Sequence, residues 1–123
     1  MGADSVIYSV ELQSDGKIII GGFFTSYNGT PRNRIARINT GGSLDTSFDP
    51  GVGTNATVQD SLVQSDGKII IAGDFTSYNG TSVNRIARLN TGGSLDASFN
   101  PGMGTDSQIF TLSSLPDDRI LIG

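Results

Sequence analysis

A stretch near the start of the chain, Gln13-Ser14-Asp15-Gly16-Lys17-Ile18-Ile19-Ile20-Gly21-Gly22, returns almost unchanged as Gln64 to Gly73 and, worn down, as Leu115 to Gly123. Asp15 maps onto Asp66 and then onto Asp117, a step of 51 residues each time. A period of this size marks a tandem-repeat architecture, in which one supersecondary unit buries its apolar faces only by stacking on its neighbours. Aligned over 39 positions, 13–51 and 64–102 differ at seven (21, 23, 31, 32, 38, 46 and 49 against their partners). The expected units are a first repeat over 1–51, a second over 52–102 and a partial third over 103–123.

Within a repeat, alternation and turn chemistry predict four short strands and no helix. The first lies near Ile7 to Leu12, matched by Val58 to Val63 and Ile109 to Ser114. Asp15-Gly16 separates it from the next strand, and an Asp-Gly pair between strand-like runs predicts a type I′ hairpin, with positive φ at both central residues. The second strand is expected over Lys17 to Tyr27. Its continuous apolar run predicts burial on both faces, and Gly21-Gly22 predicts close approach of another backbone. Asn28-Gly29, repeated as Asn79-Gly80, is a second turn signal; the third strand follows at Arg34 to Asn39 and a short fourth at Leu44 to Phe48. Four antiparallel strands per ~50 residues, the middle ones covered on both faces, are what a β-propeller blade requires. The expected fold is therefore all-β, with about two and a half four-stranded antiparallel blades.

Known propellers need about four to eight blades. Closure is thus expected either from further blades of a longer chain or from self-association, which makes such contacts the first expected partners. The 36% apolar and 16% charged composition suits a folded soluble protein, and the 17 glycines with only 4 prolines suit tight turns rather than disorder. A net charge of −4 argues against nucleic acid as a partner. With 0 Cys and 0 His, thiolate and imidazole catalysis, disulfides, zinc and haem are out of reach, and no cofactor is expected. No apolar run approaches the ~20 residues of a membrane-spanning helix, and the first residues lack signal-peptide character, so membrane insertion is not expected.

The pattern Gln-x-Asp-Gly-Lys-Ile-x-Ile-x-Gly-x-Phe-Thr-x-Tyr-Asn-Gly, then Arg-Ile-Ala-Arg-x-Asn, then Gly-Ser-Leu-Asp-x-Ser-Phe-x-Pro-Gly, resembles the delta-60 repeat, and the likeness covers nearly the whole chain. That resemblance implies a β-propeller repeat of uncharacterised function, found in tandem in large bacterial surface or secreted proteins and in phage proteins, hence an extracellular, cell-surface or virion setting. Gly41 and Gly92 stand where that family often has Asp, and Asp118 stands where it has Gly, which implies an altered third turn. Kelch repeats are of similar length and share the glycine pair, but they carry a Trp that this chain lacks.

Residues kept in both copies are explained by the scaffold. Asp15 and Asp66 are turn residues; Arg34, Arg37, Arg85 and Arg88 are expected to pair with Asp45 or Asp96 across strands. Ser43, Asp45, Ser47 and Asp49 place oxygens at every second position, as a half-buried strand with Leu44 and Phe48 inward also would. The EF-hand spacing is missing, so no metal site is assigned. Asn28, Asn55 and Asn79 begin glycosylation sequons, which matter only in a eukaryotic secretory host. The informative residues are those that differ: Pro31-Arg32 against Ser82-Val83, and Val52–Thr57 against Met103–Gln108. In an up-and-down blade both connections emerge on one rim, and loops on a rigid scaffold are where binding concentrates. Candidate contacts for a protein or glycan ligand are therefore Tyr27, Pro31, Arg32, Thr54, Asn55, Tyr78, Ser82, Val83, Thr105 and Asp106. No catalytic residue is assigned; the alternatives to a binding or structural module are a hydrolase on a propeller scaffold and a calcium-stabilised spacer.

Overall fold

Alternating side chains along the isoleucine-rich segments need partners on both sides, and short antiparallel sheets supply them. The computed structural model describes residues 2–99, 112–114 and 120–122. Its strands are β1 (Ile7–Leu12), β2 (Ile18–Gly22), β3 (Ser26–Tyr27), β4 (Thr30–Pro31), β5 (Ile35–Ile38), β6 (Val58–Val63), β7 (Ile69–Gly73), β8 (Ser77–Tyr78), β9 (Thr81–Ser82), β10 (Ile86–Leu89), β11 (Leu112–Ser114) and β12 (Ile120–Ile122). Each full repeat builds a three-stranded antiparallel sheet, ordered β1-β2-β5 in the first and β6-β7-β10 in the second, and the third repeat contributes the pair β11-β12. The fourth strand of each of the two full repeats is represented by one bridge, Ile38 to Leu44 and Leu89 to Leu95. Beyond it the chain turns at Asp45 and Asp96, whose side chains accept the backbone N–H two residues on and so break the ladder.

The innermost strands lie side by side: β6 packs against β1 on one side and β11 on the other. Ser9 and Ser61 share a hydrogen bond across the first of these contacts, and Leu112 N donates to Asp60 Oδ2 at 2.7 Å across the second. Each sheet is therefore a blade, and successive blades stack face on face. The back of the first blade (Ile19, Ile35, Phe48) forms one core with the front of the second (Ile69, Ile71, Phe75, Tyr78, Leu89). The back of the second (Ile70, Ile86, Phe99) packs with Leu112 of the third. The front of the first blade (Ile20, Phe24, Ala36, Ile38) forms its own smaller cluster. Burying one such side chain contributes roughly 1.5–3 kcal/mol, so inter-blade stacking dominates stability.

Two expectations change in detail. The type I′ geometry belongs to Asn28-Gly29, with φ of 49° and 81° between Tyr27 and Thr30, and to its repeat at Asn79-Gly80. At Asp15-Gly16 only Gly16 has positive φ (87°). Gly16 N donates to Gln13 O at 3.0 Å and Gln13 N to Lys17 O at 2.8 Å, a type I turn closed by a left-handed glycine, because the loop holds three residues rather than two. The second strand stops at Gly22; Ser26–Tyr27 belongs instead to a small hairpin with Thr30–Pro31. The cause lies at Gly22, where an added Cβ would sit 2.3 Å from Val6 O; there the neighbouring strand bulges, and Phe23 N donates to Val6 O at 2.9 Å. The third-repeat turn over 115–119, with the substitution at Asp118, lies outside the described residues, as do Thr105 and Asp106.

Candidate functional site

The repeated carboxylates are structural. Asp45 Oδ2 accepts from Lys17 Nζ and Arg37 Nε, each at 2.8 Å, while Oδ1 accepts from Ser47 N at 3.0 Å and Ser47 Oγ at 2.6 Å. Lys68, Arg88 and Ser98 reproduce this around Asp96. The lysine ammonium above all, and then the serine hydroxyl, hold both carboxyls well below the usual carboxylate range. Arg37 also covers the Phe48 ring at 5.1 Å and Arg88 the Phe99 ring at 4.9 Å. The oxygen-rich Ser43–Asp49 pattern thus serves an ion-pair cluster. Arg34 and Arg85, expected to join it, do otherwise: both have positive φ, Arg34 Nη1 donates to Thr54 O at 2.8 Å and Arg85 Nη1 to Asn84 Oδ1 at 2.8 Å. Among the described residues no group of three or more acidic side chains could hold a metal.

The rim predicted from loop variation is assembled by contacts. Asn33 Nδ2 donates to Val52 O at 3.0 Å, and Val52 N donates to Asn79 Oδ1 at 3.0 Å. The inter-repeat linker is therefore pinned between the hairpin-bearing connections of both blades. Of the candidates there, Pro31 and Ser82 are exposed at the tips of β4 and β9, and Arg32 and Val83 are half-buried beside them. Arg32 donates through Nη1 to its neighbour's carbonyl at 2.8 Å, and its buried Nε has no hydrogen-bond partner.

Other candidates are withdrawn from solvent. Tyr78 is fully buried and donates its hydroxyl to Gly93 O; burial, with Asp49 nearby, pushes its pKa well up. Thr54 is buried too, with Oγ1 donating to Ala56 O at 2.8 Å. Both are corrected from ligand contacts to packing: the contact between the two repeats covers what looked like loop. Tyr27, the same residue one repeat earlier, is half-buried and donates to Gly42 O at 2.9 Å. Asn55 is exposed, but its Oδ1 accepts from Thr76 N at 2.8 Å and Ser77 N at 3.1 Å, so it clamps the start of the β8–β9 hairpin. Asp4 does the same for Thr25 and Ser26, the Thr25 hydroxyl chiefly lowering its pKa to about 2. The 51-residue step relates Asp4 to Asn55 and Asp106 and was the sequence signal for this clamp.

Two concave features accompany the rim. A groove of about 440 Å³ on the outer edge of the second repeat runs from Ser82 and Val83 past Ile86 and Arg88 to Ala97 and Phe99. A more polar recess of about 310 Å³ lies between the Asp15-Gly16 and Gly67 turns on the opposite rim, beside Arg37 and Thr91.

Stacked antiparallel blades whose innermost strands line up side by side define a β-propeller-type protein. The family model of a β-propeller domain of unknown function, DUF5122, matches residues 13–48 and 64–99, more than half of the chain. The chain belongs to that family. No curated protein matches it.

Proposed function

We propose that this chain is a non-catalytic binding or structural module made of β-propeller repeats of the delta-60 type, serving in a bacterial surface protein or a phage appendage. Its ligand, a protein or a glycan, contacts the rim that carries Pro31-Arg32 and Ser82-Val83. The observation carrying this reading is a division of labour between shared and variable residues. The shared polar side chains Asp45, Asp96 and Tyr78 spend their hydrogen bonds inside the scaffold, whereas Pro31 and Ser82 differ between repeats and stand exposed. Arg32 adds a guanidinium cation beside Pro31 on that rim. The exposed apolar residues of β1, among them Val10 at 63% and Leu12 at 71%, favour association with further blades or copies.

The test exchanges the rim residues between repeats, Pro31→Ser with Arg32→Val and Ser82→Pro with Val83→Arg, and screens parent and variants on a glycan array and against host-surface proteins. Binding should follow the exchanged residues while the melting temperature stays in place. Ligand binding indifferent to both exchanges would remove the rim assignment.

A further inference from the structure

The segment that leaves β2 differs in chemistry between the repeats. Phe23 of the first repeat stands where the second has Asp74, and Arg32 stands where the second has Val83. Phe23 is 52% exposed although the second repeat is already in place on that side of the blade. Arg34 shows which side this is: its guanidinium lies 5.9 Å from the Phe23 ring centroid, while its Nη1 donates at 2.8 Å to Thr54 O in the linker to the second repeat. Val52 of the same linker is 62% exposed, and its carbonyl accepts from Asn33 Nδ2 at 3.0 Å. Arg34 N donates to Phe24 O at 2.9 Å and Arg32 N to Thr25 O at 3.0 Å, so residues 23–25 and 32–34 run side by side and both arginines belong to one corner of the rim.

Charge sets this corner apart. The chain carries a net charge of −4, and Lys17, Arg37, Lys68 and Arg88 are neutralised by Asp45 and Asp96. Among the described residues neither Arg32 nor Arg34 has a carboxylate partner. Each spends Nη1 on a backbone carbonyl, and the Nη2 of each has no partner and is open to solvent. The planar guanidinium fork matches a carboxylate, and the part of the Phe23 ring that Arg34 leaves open offers a seat for an apolar face.

We propose that this corner, formed by Phe23, Arg32, Arg34 and Val52, binds a sugar acid. The C–H face of the pyranose ring lies on Phe23 and Val52, and its carboxylate accepts from Arg34, with Arg32 as the second cation. The proposal rests on the reading of this rim as the binding face and names the class of its ligand. A uronic acid carries an apolar face and an anion in one rigid ring, just as the corner presents an aromatic ring and a guanidinium in contact. An acidic peptide spreads the two over separate flexible side chains, which must be ordered on binding. The second repeat has a carboxylate at Asp74 and no cation at Val83, so the same ligand is disfavoured there.

The test titrates the full chain by calorimetry with tetragalacturonate and tetraglucuronate, with the methyl ester of each, and with tetraglutamate. Saturable one-to-one binding of at least one uronate is expected, weakening as salt is raised, with its methyl ester bound at least about tenfold more weakly. Phe23→Asp and Arg32→Val install the residues that the second repeat already carries, and each should weaken binding about tenfold while the melting temperature stays in place. Arg34→Lys, which keeps the charge and loses the fork, should weaken it as well. The proposal falls if neither uronate saturates, if the ester or tetraglutamate binds as tightly as the acid, or if Phe23→Asp binds like the parent. A ligand from the array that follows the exchange of Pro31-Arg32 but ignores Phe23→Asp would overturn the sugar-acid corner and leave the rim assignment standing.

Discussion

Gly73→Ala places a methyl group where the inner strand of the same blade passes. An ideal Cβ there would lie 2.2 Å from Thr57 O, 2.8 Å from Gln59 N and 3.1 Å from Val58 Cα. Carbon contacts are comfortable only near 3.5 Å, so the strands must part by roughly 1 Å. All three atoms are backbone, and β6 is held by β1 and β2 on one side and β11 on the other, so it cannot retreat cheaply. Overpacking of this kind costs about 1–3 kcal/mol. Stretching the Asp74 N to Thr57 O bond, now 3.0 Å, adds about 1 kcal/mol. Against this, alanine lowers the unfolded chain's entropy by about 0.4–1 kcal/mol. The net loss is about 2–3 kcal/mol, which for a chain of this size lowers the melting temperature by roughly 6–15 °C. Gly22→Ala meets Val6 O at 2.3 Å, but β1 is largely exposed and free to yield, so its loss should be smaller. Gly41→Ala meets nothing within 4 Å and has no positive φ, so it should be neutral or slightly stabilising. Thermal unfolding followed by circular dichroism, with urea titration for ΔG, ranks the three. Melting of Gly73→Ala within about 2 °C of Gly41→Ala would refute the close approach on which the blade rests.

Ile19→Asp and Ile70→Asp bury an unpaired carboxylate at positions of 0% exposure and should each abolish the cooperative transition, since the penalty of several kcal/mol rivals a stability of ~5–15 kcal/mol; Arg32→Ala should melt like the parent, and equal loss in all three variants would contradict the assigned burial. Asp4, Asp45 and Asp96 have folded pKa values below their ordinary 3.8, so the stability they contribute is present above that value and lost as pH falls through the folded pKa, which for Asp4 is about 2. Urea midpoints should therefore decline between about pH 4 and pH 2, and Asp45→Asn should flatten the decline; an unchanged slope in that variant would argue against the cluster. Tyr78 has the opposite sign: its raised pKa stabilises fully below its ordinary 10.0 and less as pH climbs beyond it, so Tyr78→Phe should blunt alkaline unfolding, as read by the tyrosinate absorbance.

The 51-residue step, the period-two alternation and the turn dipeptides were enough to place the first two repeats and the first three strands of each, apart from the end of the second strand, because strand pattern and hairpin turns depend on residues close in sequence. The Gly22 and Gly73 contacts were legible for the same reason: only a residue without Cβ fits where a strand bulges against its neighbour. The local sequence could not determine burial at the blade faces. Phe48 and Phe99 sit in nearly identical sequence, yet one is fully buried and the other half-buried; Tyr78 is sealed in the core while Tyr27 is half-open. Each repeat carries the same front and back, but whether a face meets water or another blade depends on what stacks against it. Asn55 shows the limit from the other side: it varies between repeats and looked like a ligand contact until its hydrogen bonds to Thr76 and Ser77 showed that it holds the hairpin. Strand propensity and turn chemistry are local and were written in the sequence; inter-blade packing joins residues about 50 positions apart, and only the folded chain decides it.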